Sequence, residues 1–185
     1  MTPITFPAWL TAVLLWATLL APAHATIRPP SHIAAEMPHA RLAGQGAFRW
    51  FGLKLYDAQL WTGPEGYRTE TSKFALDLRY ARDLQGAHIA KASHDEIAKL
   101  GFGSPDQRAA WLARMEKLFP DVRDGTHITG IYLPGDGARF YLDGKPLGEV
   151  RDAAFGKAFF AIWMDARTAA PSLRAALLDN ATPPR

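Results

Sequence analysis

The chain has no cysteine in its 185 residues. Disulfides, thiol chemistry and a cysteine-ligated zinc site are therefore excluded, and an exported protein of this composition takes its stability from packing. Charge is absent from the amino-terminal stretch, where Arg28 is the first charged side chain. Nowhere do like charges form a block: the formal net charge is +3, with cations dispersed among acids. The basic segments also lack the paired basic and aromatic pattern of a single-strand binder, so no nucleic-acid partner is expected. Metal spacing is missing too. His88 and His94 do not share one helical face, and the consecutive His94, Asp95 and Glu96 point different ways. No metal and no cofactor is expected. Ser93 beside His94 has no Gly-x-Ser-x-Gly turn or matched acid to make it a nucleophile.

What is present begins with an apolar run, FPAWLTAVLLWATLLAPAHA, that ends in the small-x-small triplet Ala23, His24, Ala25. This is the pattern of a secretory signal peptide over residues 1–25, with the amino terminus alone as its positive end. The stretch Phe6 to Leu20 is short for a membrane span, which favours cleavage. The alternative is an uncleaved segment that anchors the protein, the only membrane contact the sequence suggests. Cleavage places the protein in the periplasm or outside the cell. The remainder divides into an extended lead-in at 26–40, with three prolines, and one domain at 41–180. A domain of that length buries roughly 70% of its unfolded surface.

Residues 42–61, LAGQGAFRWFGLKLYDAQLW, read as one long strand with a kink, in which Gly44, Gly46 and Gly52 mark bends or close backbone approach. It carries Arg49 and Lys54 among aromatic and aliphatic neighbours. FALDLRYAR alternates, with Phe74, Leu76, Leu78 and Tyr80 on one face and Ala75, Asp77 and Arg79 on the other. GAHIAKASHDEIAKLG places Ile89, Ser93, Ile97 and Leu100 at helical spacing before Gly101. SPDQ opens a second helix: Ser104 caps, Pro105 fits the first turn, and Gln107 completes the capping-box spacing. A hairpin follows, turning at Gly135-Asp136-Gly137, with a third short segment beyond Asp143-Gly144. Asp152 then caps a helix striped by Phe155, Phe159, Ile162 and Trp163, and PSLRAALL gives a last helix. This order predicts an α+β fold, an antiparallel sheet covered on one face by helices.

Four blocks carry a resemblance: GQGAFRWFGLKLYDAQLW, FALDLRYARDL, LPGDGARFYLDGKPLGEV and FFAIWMDARTAAPSLRAALL. In their order and spacing they resemble the bacterial chalcone isomerase-like proteins, over nearly the whole mature chain. The resemblance implies an open-faced β-sandwich, a large antiparallel sheet under a layer of helices, with a cleft between the two. Plant relatives divide into isomerases that close a flavanone ring and non-catalytic fatty-acid-binding members.

The family's catalytic or carboxylate-holding arginine lies a few residues after a Gly-x-Gly pair on the first long strand, and Arg49 in GQGAFR falls at that place. A guanidinium never deprotonates, and its planar fork matches a carboxylate or a polarised ketone oxygen. The sequence departs from the isomerases at two positions: Ile89 stands where they carry a tyrosine, and Leu55 stands near where their strand has a hydroxyl. In the fatty-acid-binding members a second arginine and a tyrosine complete a carboxylate clamp, for which this chain offers Arg79, Tyr80 and Arg82, with Tyr56 on the first strand. Strand parity sets Arg79 and Tyr80 on opposite faces. The ligand-binding candidates are thus Arg49, Tyr56, Arg79 and Tyr80, with Arg49 the catalytic residue if the protein is an enzyme.

A charge-assisted hydrogen bond contributes about 1.5 to 3 kcal/mol, and each buried methylene about 0.8 kcal/mol. The apolar part of a ligand would therefore set affinity, and the arginine orientation. The bland alternative for Arg49 is a pair with Asp57 or Asp77, or solvent. Three functions follow: a binding protein for a small apolar anion such as a fatty acid, an isomerase or lyase of a flavonoid-like enone, and an interaction protein of the cell envelope that binds no ligand.

Overall fold

Phe51 and Gly52 break the stretch that the sequence presents as one kinked strand. Both adopt left-handed backbone angles, with φ of 47° and 79°, as in the two-residue turn that reverses a chain between antiparallel strands. Two strands result, β1 (Arg41–Trp50) and β2 (Leu53–Thr62). The turn escapes sequence reading because its first position usually holds Asn, Asp or Gly, and here holds Phe.

The computed structural model describes residues 27–68 and 71–182, so the signal segment assigned to 1–25 lies outside the described residues. The described chain runs α1 (Ser31–Glu36), β1, β2, β3 (Phe74–Tyr80), α2 (Gly86–Leu100), α3 (Pro105–Leu118), β4 (His127–Leu133), β5 (Gly137–Leu142), β6 (Lys145–Val150), α4 (Ala153–Met164) and α5 (Pro171–Leu177). The six strands form one sheet in chain order, each antiparallel to the next. Among the described residues no helix is long and apolar enough to cross a membrane.

The expected helix starts are present as hydrogen bonds. Ser104 Oγ accepts from Gln107 N at 3.2 Å while Gln107 Oε1 accepts from Ser104 N at 2.8 Å, a reciprocal box at the head of α3. Asp152 Oδ1 accepts from the amides of Ala154 and Phe155 at 3.0 and 3.1 Å at the head of α4.

Phe74, Leu76, Leu78 and Tyr80 turn toward α2–α5, where the main core lies, as the alternation predicts. Ala75 and Asp77 on the reverse face are buried as well, because helix α1 lies across that side. The lead-in is thus not wholly extended: α1 sits within it, and Ile33 and Met37 pack on Trp61, Ala75, Ile131 and Tyr141 in a second, smaller core. Six residues are too few to hold a helix by propensity, so this packing stabilises it.

At the outer edge, Gly44 lets β1 approach α5. A Cβ there would run into the carbonyl oxygens of Ala176 and Leu177. Gly44 therefore reports close backbone packing, at a point where the register of β1 also shifts between Leu42 and Gly44.

Candidate functional site

Between sheet and main helices, where the resemblance places a cleft, the protein's own rings fill most of the space. Phe140 on β5 meets Phe119 at 5.3 Å and Phe159 at 5.2 Å, Phe159 meets Phe155 and Trp163 at 5.5 Å each, and Phe160 meets Phe74 at 5.0 Å. These spacings are those of stacked and edge-on ring pairs, each adding to area burial.

The four residues singled out from sequence go to different places. Arg49 is exposed beside the β1–β2 turn, opposite Lys54, and its Nη1 donates to the Gly52 carbonyl at 3.3 Å. It does not end an apolar slot. The cause is local: Phe48 pairs with Tyr56 and Arg49 with Lys54, so Leu55 bulges out of register and the chain reverses directly after Trp50. Asp57, which the bland reading offered to Arg49, instead takes Lys54 at 2.8 Å and Arg79 at 3.9 Å.

Tyr56 and Tyr80 do come together on the helix side, ring centroids 6.0 Å apart, with Phe48 stacked on Tyr56 at 5.2 Å. Trp163 Nε1 donates to the Tyr56 hydroxyl at 3.0 Å. Burial pushes both phenols up, so both stay protonated at neutral pH. Arg79 lies on the other face, as parity required.

Among the described residues, an apolar opening lies along the seam between β3, β4 and α4. It is a half-open cavity of about 90 Å3 walled by Tyr67, Phe74, Phe102, Tyr132, Phe160 and Met164, with Ala161 at its side and Lys157 and Asp165 at its rim. No sequence pattern announces it, because its walls come from five separate segments. Helical spacing does put Lys157, Phe160, Ala161 and Met164 on one side of α4.

The reverse face carries a polar network that sequence reading missed. Asp77 is 3% exposed. Its Oδ1 accepts from the Thr129 hydroxyl at 2.6 Å, and its Oδ2 lies 2.7 Å from His127 Nδ1. Thr129, having given its proton to Asp77, accepts from His32 Nε2 at 2.8 Å, which fixes the tautomer of His32. Burial lowers the pKa of His32, and Asp77 opposes that shift. A carboxylate-held imidazole is half of a catalytic triad. Here the one hydroxyl in the network is fully buried and committed to Asp77, so the group satisfies a buried carboxylate and moors α1 instead. Sequence separations of 97, 52 and 50 residues explain why no local signal exposed it.

The comparisons with known proteins agree with this architecture. An uncharacterised protein of Haemophilus influenzae is 28% identical over 131 residues, covering 71% of this chain and 64% of its own length. The chain therefore spans less than two thirds of that relative. Among solved structures, a fatty-acid binding protein of Arabidopsis thaliana superposes with a TM-score of 0.63 at 14% identity, over 78% of this chain and 89% of its own. That likeness shows the fold. The family description that matches, chalcone isomerase-like, spans residues 22–179, from before α1 to the end of α5. An antiparallel sheet of six strands under a helical layer is the architecture expected of it, and the chain belongs to the chalcone isomerase-like family.

Proposed function

We propose that the protein is a non-catalytic binder of a small apolar anion, held at the cavity on the β3–β4–α4 seam with Lys157 at its polar end. The observation that carries the reading is the cavity itself, six aromatic or thioether walls closed on one side with Lys157 at the rim beside Asp165, whose carboxylate is already taken by Arg167, an apolar slot with a few polar groups at its mouth. The fatty-acid binding named for the plant structural neighbour supports the ligand class. Envelope localisation, expected from the apolar amino-terminal segment, fits a carrier of such molecules.

Size limits what enters. An engineered cavity of about 150 Å3 holds benzene, so about 90 Å3 takes the end of a short chain. Three or four methylenes contribute about 3 kcal/mol. The exposed lysine adds about 1 kcal/mol. These gains are set against the freedom lost on association, so a short acid binds weakly and longer chains bind tighter where Met164 yields. The isomerase reading is less well supported: the interior phenols are neutral, and Arg49 stands outside.

Calorimetric titration with fatty acids of graded chain length tests the proposal. Binding is expected to strengthen with length, to weaken in Lys157→Glu, and to vanish in Ala161→Trp, which fills the cavity. Absence of binding across the series, with no lipid extracted from the purified protein, would end it.

A further inference from the structure

Among the described residues, four large apolar side chains are exposed, and three of them stand at the β1–β2 turn: Trp50 at 56%, Phe51 at 88% and Leu53 at 56%. Arg49 and Lys54 flank them immediately, and the nearest acid in sequence is Asp57, which pairs with Lys54 at 2.8 Å in a half-exposed contact that a lipid phosphate could replace. We infer that this turn is a membrane-docking tip, which seats Trp50, Phe51 and Leu53 in the interface of an anionic bilayer while Arg49 and Lys54 meet lipid phosphates.

Folding does not account for the tip. Phe51 occupies a left-handed backbone position, φ 47°, that disfavours a bulky side chain. Its ring contact is with Trp50, at 5.0 Å between centroids. A strained, exposed aromatic at the extremity of a hairpin points to a role outside the fold.

Shape and charge select the occupant. A two-residue turn is a convex wedge, with no groove for a peptide and too little area for a stable protein interface, which needs about 1,200 Å2 or more. A bilayer interface accepts such a wedge: Trp prefers the headgroup level, Phe and Leu the acyl boundary, and flanking cations reach back to phosphate. The chain leaving β3 runs along this edge, since Ala81 N bonds the Leu55 carbonyl at 2.9 Å, and Arg82 is the next residue. The lead-in arrives at the same end of the sheet, because α1 starts beside the β5–β6 turn, where His32 approaches Gly144. That turn and the β1–β2 turn share one end of an antiparallel sheet. The inference is independent of the proposed ligand cavity, whose Phe74 and Tyr132 lie toward the other end of β3 and β4.

The absence of cysteine makes the test direct. In the full chain, Phe51→Cys and, at the opposite end of the sheet, Glu65→Cys are each labelled with an environment-sensitive fluorophore and mixed with phosphatidylcholine vesicles with or without phosphatidylglycerol. The expected result is a blue shift at 51 with phosphatidylglycerol present and none at 65, a local readout that an anchoring amino-terminal segment does not mimic. In this labelled protein, Arg49→Glu with Lys54→Glu is expected to raise the lipid needed for the half-maximal shift by about tenfold or more. An unlabelled Trp50→Ser, Leu53→Ser protein should keep its melting temperature and lose competition for vesicles. The inference is overturned if the label at 51 behaves as in buffer, if both sites shift alike, or if the shift appears without vesicles and grows with protein concentration, which would assign the tip to a second copy of the chain.

Discussion

Trp111 and Asp152 are 41 residues apart in the chain, and the indole Nε1 of the first donates to Oδ2 of the second at 2.9 Å. Asp152 therefore serves two helices: one oxygen caps α4 and the other satisfies a nearly buried indole on α3. Burial works against its charged form, but the bonds from Trp111, Phe155 and Ala154 more than offset this and hold its pKa below the usual carboxylate range. Asp152→Ala removes the cap, at about 1 kcal/mol, and strands the indole N–H, at about 1 to 3 kcal/mol. A loss of about 2 to 4 kcal/mol is expected in urea unfolding. Asp152→Asn keeps an acceptor for the cap but presents an amide to the indole, so it should fall between. No loss of stability in Asp152→Asn would show that the tie between α3 and α4 contributes nothing.

Gly44 and Gly52 test two different uses of glycine. At Gly44 a methyl group meets backbone oxygens of α5, which cannot rotate away, whereas at Gly52 it meets open space but a φ of 79°. Overpacking costs about 1 to 3 kcal/mol, and a left-handed residue about 1 kcal/mol. Gly44→Ala is therefore expected to lower the melting temperature more than Gly52→Ala. The reverse ranking would mean that α5 is free to retreat from β1.

The residues that announced their structure did so through local physics. FALDLRYAR alternates because one strand face meets the main core, and SPDQ caps because its partners are three residues apart. Both kinds of signal lie within a single element. The β1–β2 turn was hidden because Phe51 replaces the residues that normally mark left-handed geometry, and this one substitution turned a hairpin into an apparent long strand. It also bears on the expected site: Arg49 falls at the family's arginine position by its spacing from the Gly-x-Gly pair, and the turn directly after Trp50 leaves its side chain exposed. Parity sets Tyr80 with Phe74, Leu76 and Leu78 and Arg79 on the opposite face, as in the structure, whereas nothing in the sequence assigns Tyr56 to a face. Asp77, His127, Thr129 and His32 could not be grouped, because only the register of β3 with β4 and the position of α1 bring them together.

Helix α1 should prove part of the domain rather than a loose leader. Ile33 is 0% exposed, between α1 and the reverse face of the sheet, and Ile33→Ala is expected to destabilise by about 2 to 4 kcal/mol. Hydrogen exchange gives the more specific readout. The amides of Ala34 and Met37, bonded to Pro30 and Ile33 at 2.9 and 2.8 Å, should lose protection while those of the central strands keep theirs. Unchanged exchange at both amides would show that the second core does not hold α1.

Glu36 closes α1 onto the sheet through charge, which makes that contact sensitive to acid. Its carboxylate, 11% exposed, accepts from Lys73 Nζ at 2.8 Å, Arg139 Nη1 at 2.5 Å and the Tyr141 hydroxyl at 2.6 Å. Burial alone would raise its pKa, but these three donors more than offset that and bring it from 4.5 to about 2. A carboxyl with a lower pKa in the folded state binds fewer protons there than in the unfolded chain, so its contribution is complete above pH 4.5 and disappears as the pH falls through about 2. With solvent screening at the two cations allowed for, that contribution is about 1 to 3 kcal/mol. Glu36→Gln has no proton to take up in this range. The stability gap between the natural chain and Glu36→Gln, measured by urea unfolding, should therefore be constant above pH 4.5 and narrow steadily toward 2. A gap that stayed the same across that range would mean that the cluster holds α1 by shape and neutral hydrogen bonds, with the charge on Glu36 making no difference.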